Sequence, residues 1–287
     1  MELLQQFSLL LKVNNSLYLM NKINKLNFII GTNIIESEKH IFYMLESIEK
    51  IFEKFPSFNF IFKTSFDKAN RTSYQSYRGL GFDKSIKIFE DIKKNYDVKL
   101  LTDIHETWQV EPISNTVDYL QIPSLLCRQT DLLKEVSKFN KPIHLKKGQF
   151  TDCNTMHEAR KKLRSFGHNE KIILCERGNT YGYNDMIVDP RNLIRLKSDD
   201  NLVSFDITHC LQKPSYLDRD NVLKTSGNRE YFELMGKIGI VSGVDYLFME
   251  FHDNPSLALC EKDTQMNLKY LEKYLNLFLE INENIRC

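Results

Sequence analysis

The sequence predicts a single-domain α/β protein of the (β/α)8, or TIM-barrel, class. Two observations lead there. Short β-rich apolar runs recur eight times, at residues 28–30, 58–62, 98–101, 119–122, 143–145, 172–175, 202–205 and 246–249, and most are separated by stretches with helical periodicity. The first run is followed by Gly31-Thr32-Asn33 rather than by the G-x-G-x-x-G turn that marks an open doubly wound sheet. Residues 37–55 are the clearest helix. Ile41, Met44, Leu45, Ile48, Ile51, Phe52 and Phe55 fall on one face, and Ser37 is placed to cap it, although no Glu completes a capping box. Further helices are expected over 82–96, 130–139, 155–166, 229–242 and 266–281. The segment 106–115 is weaker because Pro112 interrupts it. No linker rich in Pro, Gly or Ser divides the chain. Residues 1–25 read as an N-terminal extension placed to cap the barrel bottom, and 26–287 as the barrel.

The 287 residues carry 39 basic and 38 acidic side chains, a net charge of +1. That balance argues against a nucleic-acid or anionic-membrane binder driven by overall charge. Cysteines at 127, 153, 175, 210, 260 and 287 form no C-x-x-C pair. A zinc ribbon and a disulfide framework are therefore not expected, and reduced thiols in the cytoplasm are. No apolar run reaches the roughly 20 residues that cross a bilayer. The first 25 residues lack the basic region and cleavage site of a secretory signal. Glycine is scarce, 11 in all, so turns usually built from Gly are expected to use Asn, Lys or Asp.

In a barrel, functional side chains stand at the C-terminal ends of the strands. Here those ends read Asn33; Lys63; Asp103 and His105; Gln121; Lys146 and Lys147; Glu176 and Arg177; Asp206 and His209; Glu250 and His252. Cations crowd this rim: Lys63, Lys68, Arg71, Arg78, Arg128, Lys146, Arg177 and Arg229. Such a concentration in a neutral chain points to a ligand with more than one anionic group, held by Arg as a fork and Lys as a point charge. A lone His is more often structural than a ligand. His209, Glu250 and one more carboxylate are a conceivable metal set without an obvious soft fourth member.

The rim residues lie in motifs that resemble the 3-deoxy-D-manno-octulosonate 8-phosphate synthase family. These are Phe62-Lys63-Thr64-Ser65-Phe66-Asp67-Lys68-Ala69-Asn70-Arg71-Thr72-Ser73, Thr102-Asp103-Ile104-His105-Glu106, Gln121-Ile122-Pro123, Cys127-Arg128-Gln129-Thr130-Asp131 and Lys146-Lys147-Gly148-Gln149-Phe150. Cys175-Glu176-Arg177-Gly178, Asp206-Ile207-Thr208-His209 and Phe248-Met249-Glu250-Phe251-His252 continue the series in collinear order. The resemblance implies a barrel that condenses phosphoenolpyruvate with D-arabinose 5-phosphate and releases phosphate. Its product would feed synthesis of an acidic eight-carbon sugar of lipopolysaccharide. By resemblance, Lys63, Lys68, Gln121, Lys146 and Arg177 contact phosphoenolpyruvate, and Asn70, Arg71 and Thr72 contact the pentose phosphate. Arg128 is a phosphate contact near a subunit boundary, since the family is tetrameric. Asn33, Asp103, His209, Glu250 and Glu261 are the catalytic candidates.

The family has a metal-dependent type, with a Cys after the first strand, and a metal-independent type with Asn there. Asn33, together with Glu261 where the family has Asp, implies the metal-independent type, so no cofactor is expected. Other departures are Leu80 between Gly79 and Gly81, Lys262-Asp263 after Glu261, and Asn228 before Arg229. They leave open a catalytically impaired homologue kept as a phosphate binder or scaffold. The Lys68-Ala69-Asn70-Arg71 segment disfavours a sister enzyme that uses erythrose 4-phosphate.

Overall fold

The computed structural model describes residues 26–217 and 223–286; the extension 1–25 lies outside them. Eight parallel strands close into a barrel. They are β1 (Asn27–Gly31), β2 (Asn59–Lys63), β3 (Lys99–Asp103), β4 (Tyr119–Ile122), β5 (Ile143–Lys146), β6 (Ile172–Glu176), β9 (Leu202–Asp206) and β12 (Tyr246–His252), and β12 pairs back onto β1. All eight expected runs are strands of this barrel.

The outer layer holds α1 (Glu38–Phe52), α2 (Phe82–Asn95), α3 (Val110–Thr116), α4 (Thr130–Val136), α5 (Cys153–Ser165), α6 (Arg191–Arg195), α7 (Phe232–Val241) and α8 (Leu271–Arg286). In α1, Ile41, Met44, Leu45, Ile48 and Phe52 are buried against the sheet, and the Ser37 hydroxyl accepts the His40 N–H at 3.1 Å. Each such side chain contributes about 1.5–3 kcal/mol of burial. Pro112 does not interrupt its helix but stands in the first turn of α3, where its missing N–H has no partner to lose. The stretch expected as a helix over 266–281 instead opens with the short strand β13 (Met266–Asn267) and a 3-10 turn before α8 begins. The expected helix over 229–242 likewise opens with a 3-10 turn, Arg229–Tyr231.

Two hairpins were not foreseen: β7 (Asn179–Thr180) with β8 (Met186–Ile187), and β10 (Gln212–Leu217) with β11 (Leu223–Gly227). Both follow strand C-terminal ends, so they rise over the barrel mouth.

The core has two parts. A large cluster lies between strands and helices. A smaller one, Ile29, Ile61, Leu101, Ile173, Tyr246 and Phe248, fills the barrel interior. Alternation then dictates what the next inward positions are. On β1 that position is Gly31, where a Cβ would stand 2.0 Å from the Lys63 carbonyl oxygen. Only glycine lets β1 and β2 approach this closely at the mouth. Gly31→Ala is expected to lower the unfolding free energy by about 3 kcal/mol, at the upper end of overpacking costs, in a urea titration; an unchanged midpoint would show that the strands can part without penalty.

Candidate active site

Two residues above the apolar plug, the inward positions turn polar. His144 is fully buried beneath the mouth. Its Nδ1 donates to Gln121 Oε1 at 2.9 Å, which leaves Nε2 to accept from the Ser204 hydroxyl at 2.8 Å. Burial and the nearby Lys146 push its pKa well below 6.5, so the ring is neutral. It stacks on Phe248 and forms the floor of the site.

Above it lies a layer of buried charge. Lys63 Nζ meets Glu250 Oε1 at 3.1 Å and the Ser65 hydroxyl at 2.9 Å; Lys68 Nζ reaches that same hydroxyl at 3.0 Å. Glu250 Oε2 accepts from Asn33 Nδ2 at 2.6 Å, and Asn33 Nδ2 also donates to Glu261 Oε2 at 3.1 Å. His209 Nε2 is 3.1 Å from Glu261 Oε2 and 3.6 Å from Glu250 Oε2, while its Nδ1 meets Asp206 Oδ2 at 2.8 Å. Lys146 pairs with Asp206 and lies over the Phe248 ring, 3.4 Å from its centroid. A chain of contacts thus runs from β2 through β12, β1 and the loop after β12 to β9 and β5. Asp103 stands opposite, 3.1 Å from His105 Nε2, and its Oδ1 is buried without a protein partner.

The electrostatics follow from this packing. Burial alone would lower the His209 pKa, but the Asp206, Glu250 and Glu261 carboxylates raise it to about 9. Burial is the largest single influence on the acids and works to raise them, yet His209 together with Lys146 at Asp206, Lys63 and Lys68 at Glu250, and Lys68 and Arg71 at Glu261 holds all three below their ordinary range. Asp103 is likewise held low against burial by Lys63 and His105. Lys63 is lowered by burial and by Lys68, whereas at Lys68 burial is outweighed by Asp103 and Glu250 and the pKa rises. Glu261 adopts φ 50°, in the left-handed region that side chains avoid. The contacts to Asn33 and His209 hold it there against a strain on the order of 1–3 kcal/mol.

A cavity of about 270 Å³ opens above this layer. Lys63, Lys68, Asn70, Thr72, Asp103, Gln121, Lys146, Arg177, His209 and Glu261 line it. Asn33 and Glu250 are not in the wall and are tied to it through Glu261 and Lys63. Arg71 is also not a lining residue: its Nη1 donates to Cys260 Sγ at 2.6 Å, and its Nε is buried without a partner. Arg128 is exposed and outside the cavity.

The rim cations therefore divide. Arg78 forks onto Asp67, and Arg229 faces Asp263 and the Lys262 carbonyl. Lys147 and Glu176 point outward, 3.1 Å from each other and fully buried, because each is one residue out of phase with an inward position. Sequence reasoning missed Ser65, which both lysines share, and Gln212, which accepts from Arg177 Nη2 at 2.5 Å. Ser65 has no signal beyond its place just after β2, and Gln212, which opens β10, has none. A larger recess, about 1010 Å³, opens at the opposite end of the barrel. Its lining sets Glu49, Glu53, Asp97 and Asp245 against Lys99 and Lys171, so it is acidic on balance and unsuited to an anionic ligand.

The chain is similar to proteins of one known family. The chain matches the DAHP synthetase I family over residues 14–286. It is similar to a 2-dehydro-3-deoxyphosphooctonate aldolase of Pisum sativum, 44% identical over 253 residues, 88% of this chain and 87% of that one. It is similar to the aldolase of the same name from Fusobacterium nucleatum, 39% identical over 90% of this chain and 91% of that one. With the one from Campylobacter jejuni, identity is 36% over 91% of this chain and 98% of that one.

NMR titration of the His209 ring is expected to centre near pH 9. Because that value lies above the ordinary 6.5, the stabilisation from its carboxylate partners is complete below pH 6.5 and is lost as pH rises through about 9. A ring titrating at or below 6.5 contradicts the described network.

Proposed function

The chain belongs to the DAHP synthetase I family, and within it we propose the activity of a 2-dehydro-3-deoxyphosphooctonate aldolase: phosphoenolpyruvate, D-arabinose 5-phosphate and water give 3-deoxy-D-manno-octulosonate 8-phosphate and phosphate. The observation that carries this reading is the convergence of Lys63, Lys68, Lys146 and Arg177 on one small cavity, with Asn70 and Thr72 also in its wall. Two phosphates and a carboxylate must be held together against their repulsion, and fixed cations in a poorly hydrated site do so most effectively. Lys63, Lys68, Gln121, Lys146 and Arg177 take phosphoenolpyruvate; Asn70, Arg71 and Thr72 take the pentose phosphate. A catalytically impaired copy has no need to keep these cations in one cavity wall with Asn70 and Thr72.

The methylene carbon of phosphoenolpyruvate attacks the aldehyde carbon, forming the new C–C bond. The oxygen of water adds to the carbon bearing the phosphate, and the bond from that carbon to the bridging oxygen of the phosphate then breaks, freeing phosphate. The aldehyde oxygen, becoming an alkoxide, needs a proton. His209 lines the cavity and is protonated at neutral pH, so it is the donor we assign. The unpartnered Asp103 Oδ1 suits the attacking water, whose protons pass to the site's carboxylates.

We further propose that turnover needs no metal. His209, Glu250 and Glu261 bring ligand atoms within 4.8 Å of one another. Yet Asn33 directs its NH2 at both carboxylates. The reverse amide orientation would set an oxygen against two anions, so this one is enforced. A neutral donor satisfies the carboxylates where a thiolate would have recruited a cation, and the set does not fit a transition metal. A homotetramer in the cytoplasm completes the reading. Among the described residues no helix is long and apolar enough to cross a membrane, and exposed Arg128 would serve the mouth of a neighbouring subunit.

Phosphate release from phosphoenolpyruvate should require arabinose 5-phosphate and proceed unchanged after exhaustive chelation. Release with erythrose 4-phosphate instead would overturn the substrate assignment, and activity restored only by added zinc or manganese would overturn the metal assignment. Arg71→Ala should weaken pentose-phosphate binding about ten- to hundredfold, the loss of one charge-assisted contact of roughly 1.5–3 kcal/mol. Calorimetric titration showing equal losses for both substrates would refute Arg71's role.

A further inference from the structure

A second cluster of ligand atoms lies outside the cavity. The loop after β1, the first turn of α1 and the end of β12 bring together Glu36, His40 and His252, one ligand atom from each within 4.8 Å of the others. We propose that these three side chains form a binding site for a divalent transition cation of borderline softness, such as zinc, with Asp253 supporting both histidines from behind. Two imidazoles and one carboxylate are a donor set suited to such ions.

The geometry supports each part. Asp253 Oδ1 lies 3.0 Å from His40 Nε2 and 2.9 Å from His252 Nδ1. A carboxylate behind a ring fixes the proton on the nitrogen facing it and turns the other nitrogen toward a metal. The two nitrogens so left, His40 Nδ1 and His252 Nε2, are both buried without a hydrogen-bond partner. His252 Nε2 stands 3.4 Å from Glu36 Oε2, long for a hydrogen bond. It matches the edge of a tetrahedron about a cation bound at roughly 2.0–2.2 Å, which is about 3.3–3.5 Å. The two rings lie 4.6 Å apart, tilted by 36°. The Asn254 N–H also points at His252 Nδ1, at 2.9 Å. In the metal-free ring that contact places the proton on Nε2. Binding moves this proton to Nδ1, the tautomer that donates to Asp253, and the Asn254 contact is given up as the ion binds. Glu36, His40 and His252 are nearly enclosed, whereas the supporting Asp253 is 40% exposed.

The site has a structural consequence. Glu36 Oε1 accepts the Leu259 N–H at 2.7 Å, so a cation on Glu36 would pin the loop that carries strained Glu261 to the loop that carries Asn33. Its occupancy would therefore stiffen the mouth without entering the chemistry.

Zinc titration of the metal-stripped full chain against a competing chromophoric chelator tests the site. One zinc per chain is expected, with His40→Gln and Asp253→Asn each weakening it about 10–100-fold and His209→Gln leaving it unchanged. Cobalt should give the visible absorption of a tetrahedral nitrogen–oxygen site that His40→Gln abolishes. Circular dichroism and thermal melting of the stripped variants, expected to match the stripped parent, confirm that they fold. No zinc binding by the parent, binding that survives His40→Gln, or binding that disappears with His209→Gln would each overturn the proposal.

Discussion

Burying charge at the mouth of a closed barrel is the constraint on which the rest of this structure depends. Lys63 and Glu250 have side chains 2% and 0% exposed, and an isolated ion in such a place carries a desolvation penalty of several kcal/mol. Each member of the layer must therefore find a partner on a neighbouring strand. The strands contribute one inward residue each, so a layer of matched charge is available only if barrel closure sets Lys63, Asp103, Lys146, Asp206 and Glu250 at one height. Gly31, which lets β1 meet β2, and the Phe248–His144 floor that excludes water below are conditions of that arrangement. The same layer gives the cavity its cations and holds His209 protonated, so stability and chemistry draw on one set of contacts.

Asn33 shows how one residue type shapes the site. The Glu250 and Glu261 carboxylates lie side by side against Asn33 Nδ2 and need something positive or hydrogen-bearing between them. A cation would serve; an amide NH2 serves without charge. It also helps to hold Glu261 in a backbone conformation that an extended loop would not choose. The Glu36–Leu259 contact anchors that same loop from its other side.

Much of this was legible in the sequence, for definite reasons. Barrel strands buried on both faces read as apolar runs, and their polar ends marked the mouth. The alternation of inward and outward positions also separates Lys146 from Lys147 once the strands are known, although the string of strand ends listed both as equals. The scarcity of glycine predicted non-glycine residues in turns, and Asn184 at φ 57° meets that expectation. Contacts made between loops were not legible. Arg78 and Arg229 looked like rim cations but are spent on Asp67 and Asp263. The hairpins over the mouth have no strong periodicity. The pairing of His40 with His252 joins residues 212 positions apart, and nothing local announces it.

The central claim is that the buried charges at the mouth act as one coupled unit. A double-mutant cycle on Lys63 and Glu250, read as unfolding free energy, tests it most directly. Glu250→Gln alone should cost about 3–5 kcal/mol by leaving Lys63 unpaired. Combining it with Lys63→Met should recover part of that loss, a coupling of at least about 1.5 kcal/mol. Losses that simply add would mean that the two charges are stabilised separately, and the account of a shared layer would be wrong.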